Sequence, residues 1–493
     1  MWVAWRSGLP GTWVPGVHAN CVHNEIVALQ KRSLAPLLRP ADRPLSGDVC
    51  RVFSRMRHIV RSYGGSRWSY LETAESYSGS LRRRYIEAER SLREDGPLRR
   101  GDWLLRAFLK AEKLPSNKDG KPRMIFPRSP RYNLVLASYL KPFEHWLWGH
   151  LTARRLFDGS ATRVVGKGLN PRQRANLIVR KFNQFRDCVV FEVDGKAFEA
   201  HVTVPQLEQE HSVYGVAYQD TRLRKVLSRQ LELAGVTANG VKFSRPGGRA
   251  SGDYNTGMGN TLIMLAVVVG VLKSYGVVFD VLVDGDNALV FLRQSDSGRV
   301  LQDFYDRVFD ASGHEMTLEK PVSYLEGVRF GRSAPVFLGH GLGWTMVREP
   351  WSVLSGALCS HRWLREPVFG RAWCEGVARC ELSIARGVPV LQSWALEVLE
   401  RSENRRKIPV EGLRDYFVLG AWLADRGAVI SVSGDARRSF ELAFGVSPED
   451  QIRWESSFDG RVGFAKRVQE LPSPSSWWEA DPGLYEAWFD ARI

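Results

Sequence analysis

Val277-Val-Phe-Asp-Val-Leu-Val-Asp-Gly-Asp-Asn-Ala-Leu-Val-Phe-Leu292 consists of two β-branched and aromatic runs around the tetrapeptide Asp284-Gly-Asp-Asn287. Strand formers on both sides of an Asp-Gly turn predict an antiparallel hairpin, with strands over Val277–Val283 and Ala288–Leu292. A third β-branched run, Cys188–Val193, ends at Asp194. Asp194 and Asp286 therefore both close strand-like runs. They are 286 − 194 = 92 positions apart, so they meet only if those runs are neighbours in one sheet. Two carboxylates at adjacent strand ends make a hard-oxygen site suited to Mg²⁺. An ordinary hairpin turn selects the same Asp-Gly-Asp-Asn. On these residues alone both readings stand.

Working outward, Thr256–Leu272 is an apolar helix behind the Gly/Pro-rich loop Arg245–Asp253, and Phe304–Ser312 is helical. Short strands are expected near Val322 and Phe330, one helix over Leu207–Leu233, and an aromatic helix over Asn133–Trp148. Ser80–Leu92 reads as a basic helix with a solvated face, Pro115–Lys121 as a polar loop, and the proline-punctuated Pro122–Arg131 as extended. From about residue 340 the pattern is mostly helical and tryptophan-rich, broken by loops such as Leu471–Ser476. This is α+β, without the regular alternation of a doubly wound fold.

The chain has 493 residues, 44% of them hydrophobic, with 17 Trp and 23 Phe. That length suggests about three folded units and excludes a solvating, disordered polymer. Its 69 Lys and Arg exceed its 54 Asp and Glu by 15, a sign bias that points to a polyanionic partner. Six cysteines without a Cys-x-x-Cys pair argue against a disulfide framework or structural zinc, and fit a reducing compartment. The N-terminus lacks the pattern of a signal peptide. Leu262–Leu272, the longest apolar stretch, is shorter than a bilayer span, so no transmembrane segment is expected.

Two further constellations carry chemistry. Ser251-Gly-Asp-Tyr-Asn-Thr256 leads through Gly257-Met-Gly-Asn260 into the apolar helix, where Thr256 and Asn260 share a face and can offer hydroxyl and amide to a sugar. A plain helix cap uses the same residue types. Lys110, Lys113, Lys121, Arg123, Arg128 and Arg131 fall within 22 residues on a backbone expected to be extended, suited to neutralising a triphosphate and a template backbone.

In this order the residues resemble the RNA-dependent RNA polymerases of positive-strand RNA viruses, closest to the tombusvirus-like group. Phe108–Lys113 with Lys121–Asn133 is similar to that group's motif F, Phe191–Glu199 to motif A, and Ser251–Asn260 to motif B. Gly285-Asp-Asn287 takes the place of the motif C Gly-Asp-Asp. Gly313–Pro321 resembles motif D and Glu326–Phe330 the start of motif E. Glu75–Gly79 with Arg83-Arg-Tyr85 and Ala88 resembles the group's N-terminal region, and Ser447–Gln451 a segment of its C-terminal part. The Gly-Asp-Asn triplet within such a chain is similar to the ambiguiviruses, a lineage of fungal viruses.

The resemblance implies a right-hand polymerase with an antiparallel palm sheet and a mainly helical thumb. Residues 1–105 would form the N-terminal extension and fingers, 106–190 the fingers with motif F, and 191–203 palm motif A. Residues 204–250 would be a fingers insertion, 251–338 palm motifs B to E, and 339–493 the thumb and C-terminal region. Asp194 and Asp286, with the carbonyl of Gly195, would hold two Mg²⁺, with Mn²⁺ a possible substitute. Asn287 keeps an oxygen but loses a charge, which Asp284 either restores or does not, depending on where it points. Lys110, Lys113 and Arg123 would meet the triphosphate, while Ser251, Thr256, Asn260 and Glu199 read the ribose through a Glu199–Asn260 pair. Lys320, or alternatively His314, would protonate the leaving pyrophosphate. The partners would be RNA template and product, ribonucleoside triphosphates, and a separate viral protein recruiting the enzyme to replication membranes in the host cytoplasm. A decayed scaffold that only binds RNA is the competing class. A reverse transcriptase is disfavoured because Glu199 stands where such enzymes carry an aromatic, provided Phe198 is not that aromatic.

Overall fold

The computed structural model describes residues 1–115, 120–402, 406–458, 466–467 and 470–471. Strands β1 (Cys188–Gly195), β2 (Phe279–Asp284), β3 (Asn287–Arg293) and β4 (Met316–Leu318) form one antiparallel sheet in the order β4-β1-β3-β2. The hairpin joining β2 to β3 is closed by Gly285 and Asp286. Gly285 has φ +63°, the left-handed value that a tight hairpin turn requires at its first central position. Side chains alternate across the sheet. Phe191, Val193, Ala288, Val290 and Leu292 enter the largest core. Val190, Leu282, Leu289 and Phe291 enter a smaller one with Ile178, Phe185 and Phe330.

The large core is completed by helices α1 (Gly47–Val60), α2 (Pro130–His150), α3 (Val204–Tyr218), α4 (Thr256–Lys273) and α5 (Gln294–Ser312). Helix α4 is apolar all round and buried from Met258 to Leu272, as expected of a helix at the centre of a core. It is also the one helix among the described residues long and apolar enough to cross a membrane, with mean hydropathy 1.6. Some 83% of it is packed inside the protein.

Several sequence expectations need correction. The single helix over Leu207–Leu233 is broken at Gln219, which takes φ +48°. Asp220 then caps a separate short helix, Thr221–Ser228, by accepting from the Arg222 N–H. Leu233 belongs instead to the strand Glu232–Thr237, which pairs antiparallel with Lys242–Pro246 and parallel with Leu105–Leu109. Leu105–Leu109 in turn pairs with Met124–Ile125. Leu105–Leu109 lies more than a hundred residues before Glu232–Thr237 in the chain, so local periodicity carried no trace of that pairing. Helix α2 starts at Pro130 under a Ser129 cap, so Pro130 and Arg131 are helical, because proline is well suited to a first turn. Helix α5 starts ten residues before Phe304. Val322 and Phe330 make only isolated bridges, to Val190 and Ser333, and the hairpin that follows is Ser333–Phe337 with Trp344–Arg348.

After that hairpin come helices at Pro350–Gly356, Pro367–Ile384, Leu391–Ser402, Gly434–Phe444 and Pro448–Ser457, whose core includes Trp373 and Trp394. The N-terminal strand Trp2–Val3 pairs with Cys359–Ser360, and Trp5 stacks on Trp394 at 6.1 Å. The strand Pro15–His18 pairs with Leu114–Pro115. The start of the chain therefore bridges the basic segment and the helical C-terminal part. All six cysteines are free thiols. Residues 116–119 of the expected polar loop, the loop beyond Leu471, and Trp477, Trp478 and Trp488 lie outside the described residues.

Candidate active site

The register of the sheet aligns Thr317, Asp194, Asn287 and Asp284 in one row across the four strands. Asp194 and Asn287 are direct cross-strand neighbours. Asp286, in the turn, has its carbonyl against the Gly195 N–H at 3.1 Å. The sheet thus brings together the two aspartates that the sequence left 92 positions apart. Gly195 is required here, since a Cβ would lie 2.5 Å from the Phe198 ring. The turn that follows runs through Ala197 at φ +46°, a left-handed value rare outside glycine.

These residues form the floor of a cavity of about 1150 Å³, whose walls include Gln30, Arg32, Glu112, Lys121, Arg123, Glu199 and Arg332. Burial pushes the Asp286 carboxyl up to about 6, helped by the charges of Glu199 and Asp194. Asp194 is also raised, by burial first, against the opposing pull of Arg123. Among the described residues neither carboxylate takes part in an ion pair, and no three His, Cys, Asp or Glu side chains converge on one point. Two crowded carboxylates, neither of them in an ion pair, beside Gly195 and Asn287 fit a hard divalent cation. Mg²⁺ commonly takes one or two protein carboxylates and fills its remaining positions with water and phosphate oxygens.

Asp284 does not compensate for Asn287. At strand spacing it stands two strands, ~10 Å, from Asp194. Its carboxylate is held by Lys167 at 2.8 Å and Arg174 at 2.6 Å, on the wall of a separate cavity of about 410 Å³. Burial would raise this carboxyl, but the two cations outweigh burial and hold it below the usual range.

The loop before α4 is fastened by a buried network. Arg249 pairs with Glu210, and its Nε donates to Asn260 Oδ1 at 2.8 Å. Asn255 donates to Glu210 at 2.8 Å. The expected Glu199–Asn260 pair is not formed; the bond to Arg249 orients the Asn260 amide through its oxygen. Glu199 instead accepts from Ser251 Oγ at 3.4 Å. The Thr256 hydroxyl is used inside the loop, with the Ala250 and Asp253 carbonyls each 2.9 Å away. Phe198 is buried and stacked on His314 at 4.3 Å, so Glu199, not the aromatic, is the side chain that meets Ser251.

The basic cluster divides. Arg123 and Lys121 line the cavity. Lys110 lies 3.6 Å from Glu112, and Lys113 borders the cavity but donates to the Gly356 carbonyl at 2.6 Å. Arg128 is buried against Asp253 at 2.7 Å, and Arg131 pairs with Asp102 at 3.2 Å, so neither projects into the groove. Lys320 is exposed and lines another pocket with Glu192 and Glu319. His314 is fully buried and bonded to Gln206. Burial holds its pKa down to about 3, which removes it as a proton donor. Gln30 and Arg32 on the cavity wall were not anticipated. They come from a stretch whose sequence, Leu29-Gln-Lys-Arg-Ser33, has no motif to announce it.

A family model described as viral RNA dependent RNA polymerase matches residues 7–461 of the chain. The RNA-directed RNA polymerase of turnip crinkle virus is 32% identical over 462 residues, covering 90% of this chain and 58% of its own. That of tobacco necrosis virus (strain A) is 32% identical over 469 residues, covering 92% and 63%. That of carnation mottle virus is 34% identical over 455 residues, covering 88% and 58%. The chain spans about three fifths of the length of these curated relatives. They are viruses named for plants, so they lend nothing to the fungal lineage suggested by the Gly-Asp-Asn triplet.

Proposed function

The chain belongs to the viral RNA-dependent RNA polymerases, and from that premise we propose that it synthesises RNA on an RNA template from ribonucleoside triphosphates, replicating a positive-strand RNA genome. The observation that carries this reading is the placement of Asp194 beside Asn287, with Asp286 against Gly195, on the floor of a cavity walled by Arg123. We assign residues 191–203 and 251–338 to a palm, the segments before and between them to fingers, and 339–493 to a thumb and C-terminal region. An ambiguivirus-like lineage is the finer reading, and its support is the Gly285-Asp286-Asn287 triplet. A separate viral protein would carry it to replication membranes in the host cytoplasm.

Asp194, Asp286 and the Gly195 carbonyl would hold two Mg²⁺, or Mn²⁺, with Asn287 adding a neutral oxygen. Bound there, such ions activate a 3′-hydroxyl and neutralise a departing pyrophosphate. The primer 3′-hydroxyl attacks the α-phosphate in line, and the bond to pyrophosphate breaks. Arg123 neutralises the triphosphate. Glu199 and Ser251 meet the ribose hydroxyls, and Asn260 can join them through its amide N–H while its oxygen stays with Arg249. Neither Lys320 nor His314 is assigned the proton transfer, since the one lies outside the cavity and the other is buried and neutral.

The test is primer extension on an RNA template with NTPs or dNTPs, in Mg²⁺ and in Mn²⁺. Incorporation of ribonucleotides that is lost in Asp286→Ala is expected. No incorporation under any condition would favour an RNA-binding scaffold, and preference for dNTPs a reverse transcriptase.

A further inference from the structure

The cavity has one wall built by a part of the chain that none of the resembling motifs covers. Helix Val22–Ala28 runs directly into a π-helical turn, Leu29–Ser33. A π turn carries an extra residue per turn, reorients the side chains that follow, and is found disproportionately at functional sites. Gln30, Lys31 and Arg32, all within this turn, line the cavity.

Two donors on this wall are buried and unused. Arg32 Nε and Gln30 Nε2 are shielded from solvent and have no hydrogen-bond partner. Buried donors left in this way are rare in folded proteins, because each forfeits its hydration without replacement. Two such donors occur in one turn, on residues that line the cavity, and a small rotation of either side chain would offer them to an acceptor entering it.

The charges suit such an acceptor. Burial lowers the Arg32 pKa first and Arg123 next, while Glu199, Glu112 and Asp286 raise it, so Arg32 is within electrostatic reach of both the basic wall and the acidic floor. Arg123 itself lies 3.5 Å from Glu112, a carboxylate it shares with Lys110. The two lysines expected to supply positive charge are engaged elsewhere, Lys110 with Glu112 and Lys113 with Gly356. Two guanidiniums, Arg32 and Arg123, therefore line the cavity with Lys31, Lys121 and Arg332, and Glu112 is the carboxylate that pairs with Arg123. Cations gathered on one wall of a cavity suit an anionic ligand.

We propose that Arg32 and Gln30 bind the β- and γ-phosphates of the incoming ribonucleoside triphosphate, taking with Arg123 the place expected of Lys110 and Lys113. A guanidinium presents paired N–H groups matched to phosphate oxygens, and the Gln30 amide adds a neutral donor that does not increase the repulsion. The assignment rests on the polymerase reading of the cavity and adds to it a substrate-binding element from the N-terminal turn.

The experiment is single-nucleotide extension of a primed RNA template by the full chain, with KM for NTP and kcat measured separately for Arg32→Ala, Arg32→Lys and Gln30→Ala. Arg32→Ala is expected to raise KM ~10–100-fold, the loss of a charged hydrogen bond, with kcat within ~3-fold. Arg32→Lys should recover part of that loss, and Gln30→Ala should show a smaller rise. Inhibition by inorganic tripolyphosphate should weaken in parallel. Affinity for the primed template should not change. Because Arg32 Nε has no partner in the free protein, Arg32→Ala should not lower the thermal midpoint, which separates binding from folding. An unchanged KM in all three variants would overturn the assignment, as would a fall in RNA affinity in its place. Wild-type protein that extends no primer would instead sink the polymerase reading itself.

Discussion

Arg249→Met removes one half of a fully buried ion pair and leaves the Glu210 carboxylate with no cation. In the native protein burial works to raise the Glu210 carboxyl, but Arg249 outweighs it and holds the group below the usual range. That stabilisation is complete above the unfolded pKa and fades as pH falls through the folded one. Without Arg249, burial outweighs the remaining donors and the folded pKa moves above the unfolded value, so the variant's deficit grows as pH rises. Breaking a buried pair from one side generally costs ~3–5 kcal/mol. A proton sets an independent ceiling. Holding Glu210 neutral at about pH 7.5 against an unfolded pKa of ~4.3 costs ~1.4 kcal/mol per pH unit, or ~4 kcal/mol. The two figures agree. Tyr214 and Asn255 still donate to the carboxyl at 2.7 and 2.8 Å, which keeps the lower end of the range in reach. The assay is urea unfolding followed by tryptophan fluorescence, from about pH 5 to 7.5, for wild type, Arg249→Met and Arg249→Met/Glu210→Gln. We expect a loss of ~3–5 kcal/mol at the upper pH that shrinks by ~1.4 kcal/mol per unit on acidification, and recovery of most of it in the double variant. A pH-independent loss, or a double variant no more stable than the single one, would refute the reasoning. The same variant frees Asn260 Oδ1 from its 2.8 Å bond, so discrimination between NTP and dNTP is expected to change along with stability.

Other changes test neighbouring elements. Asn287→Asp restores a carboxylate directly across from Asp194 and should retain synthesis while shifting the Mg²⁺/Mn²⁺ preference, read from metal titrations of primer extension. Asp284→Asn leaves Lys167 and Arg174 without their shared anion. It should lower kcat ~10-fold with little change in KM, because the clamp orients the hairpin without touching the triphosphate; a pure KM effect would contradict this. Lys320→Ala should change the extension rate by less than ~3-fold, since that side chain lies on a different pocket, and a loss of ~100-fold would restore it as the proton donor. Lys181→Met should destabilise by ~3–5 kcal/mol, as it strips the cation from Asp280 at 2.8 Å in a fully buried pair, with thermal unfolding as the readout.

Much of the site was legible in the order of residues. The hairpin, the strand ending at Asp194 and the helix behind Ser251–Asn260 follow from short-range patterns, because turn chemistry and hydrophobic alternation act between near neighbours. Legibility fell where a partner was distant. The start of the strand Glu232–Thr237 looked like the end of a helix, and its parallel mate Leu105–Leu109 lies more than a hundred residues earlier in the chain. The charges of the basic segment could be counted but not aimed. Asp253 and Asp102 take Arg128 and Arg131 out of the groove, and Gly356 takes the ammonium of Lys113.

Covalent order and local propensity settled the kind of protein this is: an α+β chain with two carboxylates at strand ends, a glycine-containing loop before an apolar helix, and an excess of positive charge. Packing settled which of those groups are available. It set Asp194 beside Asn287 through strand register, turned Asp284 to Lys167 and Arg174, tied Asn260 to Arg249, and brought Gln30 and Arg32 from the far end of the chain to the cavity wall. The division has a physical cause. Propensity is decided within a few residues, whereas the partner of a buried charge is chosen by whatever the folded chain places within hydrogen-bond reach.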